Sequence, residues 1–126
     1  MDLHSGSPYW AIKNPLYQEA LSLQENVSAD VIVIGTGITG ALVAHELCEA
    51  GISCIMVDKR SIAGGSTVAS TAQLQYEIDV PLYKLAKDIG NKKAVSTYHA
   101  SLKSIKHLET VFEKTRIDAE FLRVPT

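Results

Sequence analysis

The chain has 126 residues, of which 46% are apolar and 21% charged, and its formal charge is −2. That supplies the core of one ordinary globular domain, while the lack of a Lys/Arg block argues against nucleic acid as a partner, since phosphate backbones are held by clustered cations. No apolar run reaches membrane-spanning length and the opening MDLHSGSPYW lacks the parts of a signal peptide, which leaves the cytoplasm as the default compartment.

Residues 1–29 read as an N-terminal arm. Asn14 and Pro15 suit an N-cap and a first helical position, so a short helix is expected from about Pro15 to Gln24. Trp10, the only tryptophan, together with Tyr9, Leu16 and Tyr17, gives this arm apolar surface to bury.

The stretch from Asp30 to Arg60, DVIVIGTGITGALVAHELCEAGISCIMVDKR, organises the rest. Val31 to Ile34 form a β-branched run suited to a strand buried on both faces, as in parallel sheets. Gly35, Gly37 and Gly40 follow at once, and a helix beginning near Ile38 carries Ala41, Leu42, His45 and Cys48 at helical spacing until Gly51 stops it. Cys54 to Val57 form a second strand ending on Asp58, eighteen positions past Gly40. This is the β-turn-α-β pattern of a Rossmann-like dinucleotide site. Gly35 permits the tight exit from the strand, Gly37 keeps a Cβ out of the path of a pyrophosphate, and Gly40 lets the helix approach the sheet. The phosphates are expected on the helix N-terminus, and Asp58 at a ribose diol.

Beyond Asp58, Lys59 and Arg60 are expected to flank the adenosine end of such a ligand or to be solvated. The segment Gly64 to Ala72 is small and rich in hydroxyls, with Ser66, Thr67, Ser70 and Thr71 placed to donate to phosphate oxygens; if Ser66 or Thr67 caps a short helix, a second helix N-terminus would face the same anion. Leu74 to Val80 alternates as a strand would, with Leu74, Tyr76 and Ile78 on one side. A helix is expected from Pro81 to Ile89, ended by Gly90, and a longer one, capped by Asn91, runs to about Lys114. Its apolar stripe comprises Val95, Tyr98, Leu102, Ile105, Leu108 and Phe112. The closing AEFLRVPT reads as extended, with Phe121 and Arg123 opposite Leu122 and Val124.

Cys48 and Cys54 read as small buried hydrophobes rather than a disulfide or a redox couple. His4, His45, His99 and His107 are scattered, without metal-ligand spacing, and His99 and His107 are expected to be exposed. Two secure parallel strands would leave open edges and bare faces. The expectation is therefore an N-terminal portion of a longer protein that, if isolated, either self-associates or is only marginally stable.

The two glycine-rich segments together, DVIVIGTGITG through VDKR and then GGSTVASTAQLQYEID, resemble the N-terminus of the D-amino-acid-oxidase-like FAD-dependent oxidoreductases, a group that includes glycine and sarcosine oxidases and flavin-linked glycerol-3-phosphate dehydrogenase. The resemblance covers about residues 30–80 and is looser beyond. It implies an α/β fold, the start of a two-domain flavoenzyme in which residues 30–126 belong to the FAD-binding domain and substrate-domain elements begin near 74–80 and 119–126. It implies that Gly35, Gly37, Ile38, Thr39 and Gly40 hold the FAD pyrophosphate, that Asp58 binds the ribose, and that Lys59 and Arg60 lie beside the adenine. It places Gly65, Ser66, Thr67, Ser70, Thr71 and Ala72 along the pyrophosphate and ribityl chain. Many members carry Glu where this chain has Asp58, and Arg or Asn where it has Ala69 and Ser70.

The activity implied is oxidation of an amine, amino acid or related small molecule by hydride transfer to flavin, with no residue of this chain assigned to catalysis. Tyr76 and Glu77 read as ordinary strand residues. The alternatives are an NAD-linked dehydrogenase and a non-catalytic, truncated interaction module.

Overall fold

The computed structural model describes residues 6–15 and 20–124. They fall into two compact units, Met1–Thr71 and Ala72–Thr126.

The first unit is built on a parallel pair of strands, β1 (Val31–Ile34) and β2 (Cys54–Val57), joined by the helix α2 (Ile38–Glu49). Val31 pairs with Cys54 and Ile34 with Val57, so the two strands end level with each other. That register is extended by the Val31 amide donating to the Ser53 carbonyl and the Gly35 amide to the Val57 carbonyl. All three elements begin and end where glycine punctuation and apolar runs place them.

The turn out of α2 is held by backbone alone. The Ile52 amide reaches back to the Leu47 carbonyl and the Gly51 amide to the Cys48 carbonyl, each at 2.9 Å, with Gly51 at φ +72°. This is the paired 6→1 and 5→2 closure that a glycine just past a helix end permits. It satisfies the last carbonyls of α2 and turns the chain directly into β2.

Two expectations are corrected here. β1 is covered on one face only: Val33 is buried, while Ile32 and Ile34 are 62% and 86% exposed. The alternation arises because α2 supplies a layer on one side of the strands, and no described residues cover the other. Nor are both cysteines buried. Cys48 is exposed and Cys54 half-buried, with their sulfurs 3.9 Å apart; burial, and then the neighbouring Cys48 thiol, push the Cys54 thiol up.

In the arm, the expected helix at Pro15–Gln24 covers residues 16–19, which lie outside the described residues, and the described residues 20–24 are not helical. The arm's helix lies earlier, as α1 (Tyr9–Lys13). A single 3₁₀ turn, Ser66–Ala69, follows β2 after a loop.

The second unit is a helical pair, α3 (Leu82–Ile89) and α4 (Asn91–Thr115), which pack together across Gly90. Asn91 is the first residue of α4 rather than its cap, because Gly90 takes the flanking position. The expected stripe on α4 is half-buried at Tyr98, Ile105, Leu108 and Phe112. Ala94 and Val111 are the buried positions, whereas Val95 and Leu102 are 42% and 37% exposed. With Tyr76, Leu82, Tyr98 and His99 these two line a shallow apolar hollow of about 210 Å³.

Residues 74–80 are not a strand. Ala72 and Asp79 take φ values of +57° and +59°, which interrupt an extended run at both ends. The segment is instead pinned to α4, with the Tyr98 hydroxyl donating to the Val80 carbonyl and the Tyr76 and Tyr98 rings meeting edge to face. The closing segment behaves as its alternation indicates. Phe121 packs on Phe112 and Arg123 pairs with Glu109, while Leu122 and Val124 are exposed. His99 and His107 are exposed, as expected. Among the described residues no helix is long and apolar enough to cross a membrane, and no three or more His, Cys, Asp or Glu gather to hold a metal ion.

Candidate functional site

Level strand ends bring Thr36, just past β1, beside Asp58, just past β2. Asp58 Oδ2 accepts hydrogen bonds from the Thr36 amide at 2.7 Å and the Thr36 hydroxyl at 2.9 Å, and Oδ1 accepts from the Arg60 amide at 2.9 Å. These donors, the Thr36 amide first, hold the Asp58 carboxyl down at about 2, against an ordinary 3.8. The carboxylate therefore does structural service by tying the glycine turn to the end of β2. Acceptor capacity remains on Oδ1 for a further hydroxyl.

The motif reading of the sequence passes over Thr36. The available signal is a hydroxyl residue between two motif glycines, facing an acid that ends the neighbouring strand.

The glycine turn then leads into α2. Gly35 has φ +105°, a value that side chains oppose, so only glycine leaves β1 in this direction without strain. A Cβ on Gly40 would lie 1.9 Å from the Gly35 carbonyl oxygen and 3.4 Å from Val33 Cγ1, which shows how closely the first turn of α2 approaches β1. A Cβ on Gly37 would lie 2.9 Å from Thr67 Oγ1.

That last contact shows where the second segment runs. The Ile38 amide donates to Thr67 Oγ1 at 3.0 Å and the Ala63 amide donates to the Thr36 carbonyl at 3.2 Å, so the loop after β2 crosses the glycine turn. Thr67 thus caps α2, not a helix of its own; the 3₁₀ turn it belongs to has no side-chain cap. Among the described residues, the amides of Gly37, Thr39 and Gly40 have no protein hydrogen-bond partner. These are the open donors that a helix start leaves, and they carry the positive end of the α2 dipole.

The structure therefore gathers Gly35, Gly37, Ile38, Thr39, Gly40, Asp58 and Thr67 at the C-terminal ends of the two strands. Arg60 reaches it through its amide, Lys59 and Ser66 are exposed beside it, and Gly65 is half-buried before the 3₁₀ turn. Ser70 is tied to the arm, its carbonyl accepting the Trp10 indole N–H at 2.9 Å. Thr71 closes the first unit and Ala72 opens the second.

Chemically, the turn offers small residues and open amides beside a carboxylate with spare acceptor capacity. A diphosphate fits the donor set, and a ribose diol fits the Asp58 end.

Acid should undo the Asp58 tether. A carboxyl whose folded pKa lies below its unfolded value contributes stability that is fully present above the unfolded value, 3.8, and is lost as pH falls toward about 2. Asp58→Asn is accordingly expected to lower the stability of the first unit at neutral pH, with the deficit shrinking to nothing below about pH 2. The Thr36 amide chemical shift should titrate in that same window. A Thr36 resonance unaffected by acid down to pH 2 would contradict the arrangement.

The description "FAD dependent oxidoreductase" belongs to the family model that matches residues 30–126. Among curated relatives, YhfW of Bacillus subtilis, named for a Rieske 2Fe-2S iron-sulfur protein, is 27% identical over 114 residues, 90% of this chain and 22% of that protein. The probable oxidoreductase OrdL of Haemophilus influenzae is 28% identical over 118 residues, 94% of this chain and 27% of its own length. The anaerobic glycerol-3-phosphate dehydrogenase of Haemophilus influenzae contributes one polypeptide that is 48% identical over 42 residues, a third (33%) of this chain and 8% of that polypeptide. The chain thus spans about a quarter or less of the relatives it matches. No solved structure matches it. With the match running from the first strand to the last residue, the chain belongs to the family of FAD-dependent oxidoreductases.

Proposed function

We propose that this chain is the N-terminal FAD-binding portion of an oxidoreductase that oxidises an amine, an amino acid or a related small molecule. The observation that carries the reading is the hydrogen bond from the Ile38 amide to Thr67 Oγ1, since it brings the second small-residue segment onto the glycine turn. A nicotinamide site has need of the first segment only. Two segments meeting at one helix start suit the longer contact that FAD makes.

In this reading the open amides of Gly37, Thr39 and Gly40 hold the pyrophosphate, assisted by the α2 dipole. Asp58 Oδ1 accepts from the adenosine ribose while Oδ2 stays committed to Thr36. Lys59 and Arg60 flank the adenine, and Gly65, Ser66, Thr67, Ser70, Thr71 and Ala72 follow the ribityl chain. Bound FAD would supply the redox chemistry, as the acceptor of a hydride from the substrate. In this reading the residues of this chain bind and orient the cofactor.

The full-length protein is expected to purify yellow, to release stoichiometric FAD on denaturation, and to bleach anaerobically when given its substrate from a panel of amines, amino acids and hydroxy compounds. A colourless protein stabilised against heat by nicotinamide dinucleotide, and not by FAD, would overturn the assignment.

A further inference from the structure

A directed contact joins the arm to the second small-residue segment. Across sixty residues of sequence, the Trp10 indole N–H donates to the Ser70 carbonyl at 2.9 Å. From there the bonds continue: the Ser70 amide donates to the Thr67 carbonyl at 3.2 Å, and Thr67 Oγ1 accepts the Ile38 amide at 3.0 Å. A line of three hydrogen bonds therefore joins α1 to the first turn of α2.

Neither end of the α1 contact is stable by itself. A helix of five residues lies far below the length at which an isolated helix forms, so α1 exists because of what it packs on. Its Tyr9 ring meets the Trp10 ring edge to face at 5.0 Å, and Lys13 Nζ sits 5.9 and 5.8 Å from the two ring centres. The 3₁₀ turn at Ser66–Ala69 is equally short, lacks a side-chain cap, and lies in a run of small residues that have much conformational freedom to lose. Pinning it before a ligand arrives lowers the ordering cost of binding.

We infer that Trp10 is a positioning residue for the dinucleotide site: through the Ser70 carbonyl it fixes the 3₁₀ turn whose Thr67 holds the start of α2, and so it sets the affinity for the cofactor. This rests on the FAD reading above. Its distinguishing feature is that Trp10 acts through backbone, without touching the ligand, from an arm that lies ahead of the family-matched residues 30–126.

The test is a double-mutant cycle in the full-length protein, with FAD affinity measured on the apoprotein by calorimetry and thermal stability recorded alongside. Trp10→Phe keeps a ring and removes the donor; Thr67→Val removes the acceptor for the Ile38 amide. Each is expected to weaken FAD binding about five- to tenfold, the loss of one net hydrogen bond. Because both break the same line, the double variant should be little worse than either single one. Full additivity, or a Trp10→Phe variant with a lowered melting temperature but unchanged FAD affinity, would overturn the inference and leave Trp10 as packing. If Trp10→Phe does not fold, Trp10→Leu, which also lacks a donor, is judged by the same criteria. Wild-type apoprotein that fails to bind FAD would instead overturn the underlying site reading.

Discussion

Gly40→Ala is expected to disrupt folding of the first unit. The added methyl carbon would lie 1.9 Å from the Gly35 carbonyl oxygen and 3.0 Å from its carbonyl carbon. Both are backbone atoms, in a turn already committed to φ +105° at Gly35 and to the Asp58 tether at Thr36, so no flexible side chain can swing aside. Relief requires α2 to lift from β1, which opens the contact with Val33, one of the few buried apolar residues among those described. Overpacking of this kind costs about 3 kcal/mol or more. In a domain of this size that corresponds to a fall in melting temperature of roughly 10 °C or more. The measurement is thermal unfolding followed by circular dichroism, and a variant that melts with the wild type would show that α2 does not approach β1 this closely.

Gly37→Val should separate binding from folding. Its Cβ meets Thr67 Oγ1 at 2.9 Å, and that atom ends a short side chain able to rotate away. The rotation sacrifices the Ile38 hydrogen bond, and the two methyl groups of valine then stand beside the open amides of Gly37 and Thr39. Stability should fall less than in Gly40→Ala, while FAD affinity drops at least about a hundredfold, close to 3 kcal/mol at 1.4 kcal/mol per tenfold. Calorimetric titration of the apoprotein measures this. Unchanged affinity in the valine variant would remove the glycine turn from consideration as the cofactor site.

The parts of this fold that are legible in the sequence are those whose causes are local. β1, α2 and β2 are bounded by glycines and by continuous apolar runs, and their ends match the expectation residue by residue. α3 and α4 are legible for the same reason, although the most buried positions of α4, Ala94 and Val111, stand beside the expected stripe rather than in it. Alternation alone misleads at Leu74 to Val80, where a strand needs a partner and positive φ values at Ala72 and Asp79 turn the chain away. α1 is invisible in the sequence because its cause lies sixty residues away, at Ser70.

The candidate site divides in the same manner. The glycine spacing and terminal acid announce the turn, but the pairing of Asp58 with Thr36 depends on the register of β1 against β2, which the sequence does not state. Thr67 is legible as a hydroxyl near a phosphate site. That it holds the start of α2 instead of capping its own turn follows only from the path of the loop across Thr36 and Ile38.

The opposite treatment of the two ends of α2 has one more consequence. At Leu47 to Ile52 the backbone closes on itself and has no need of outside help, whereas three amides at the other end wait for something to receive them. Whatever docks there tightens that turn as it arrives. Occupancy would then register first as rigidity at Gly37 to Gly40, and only weakly, if at all, beyond the Gly51 closure.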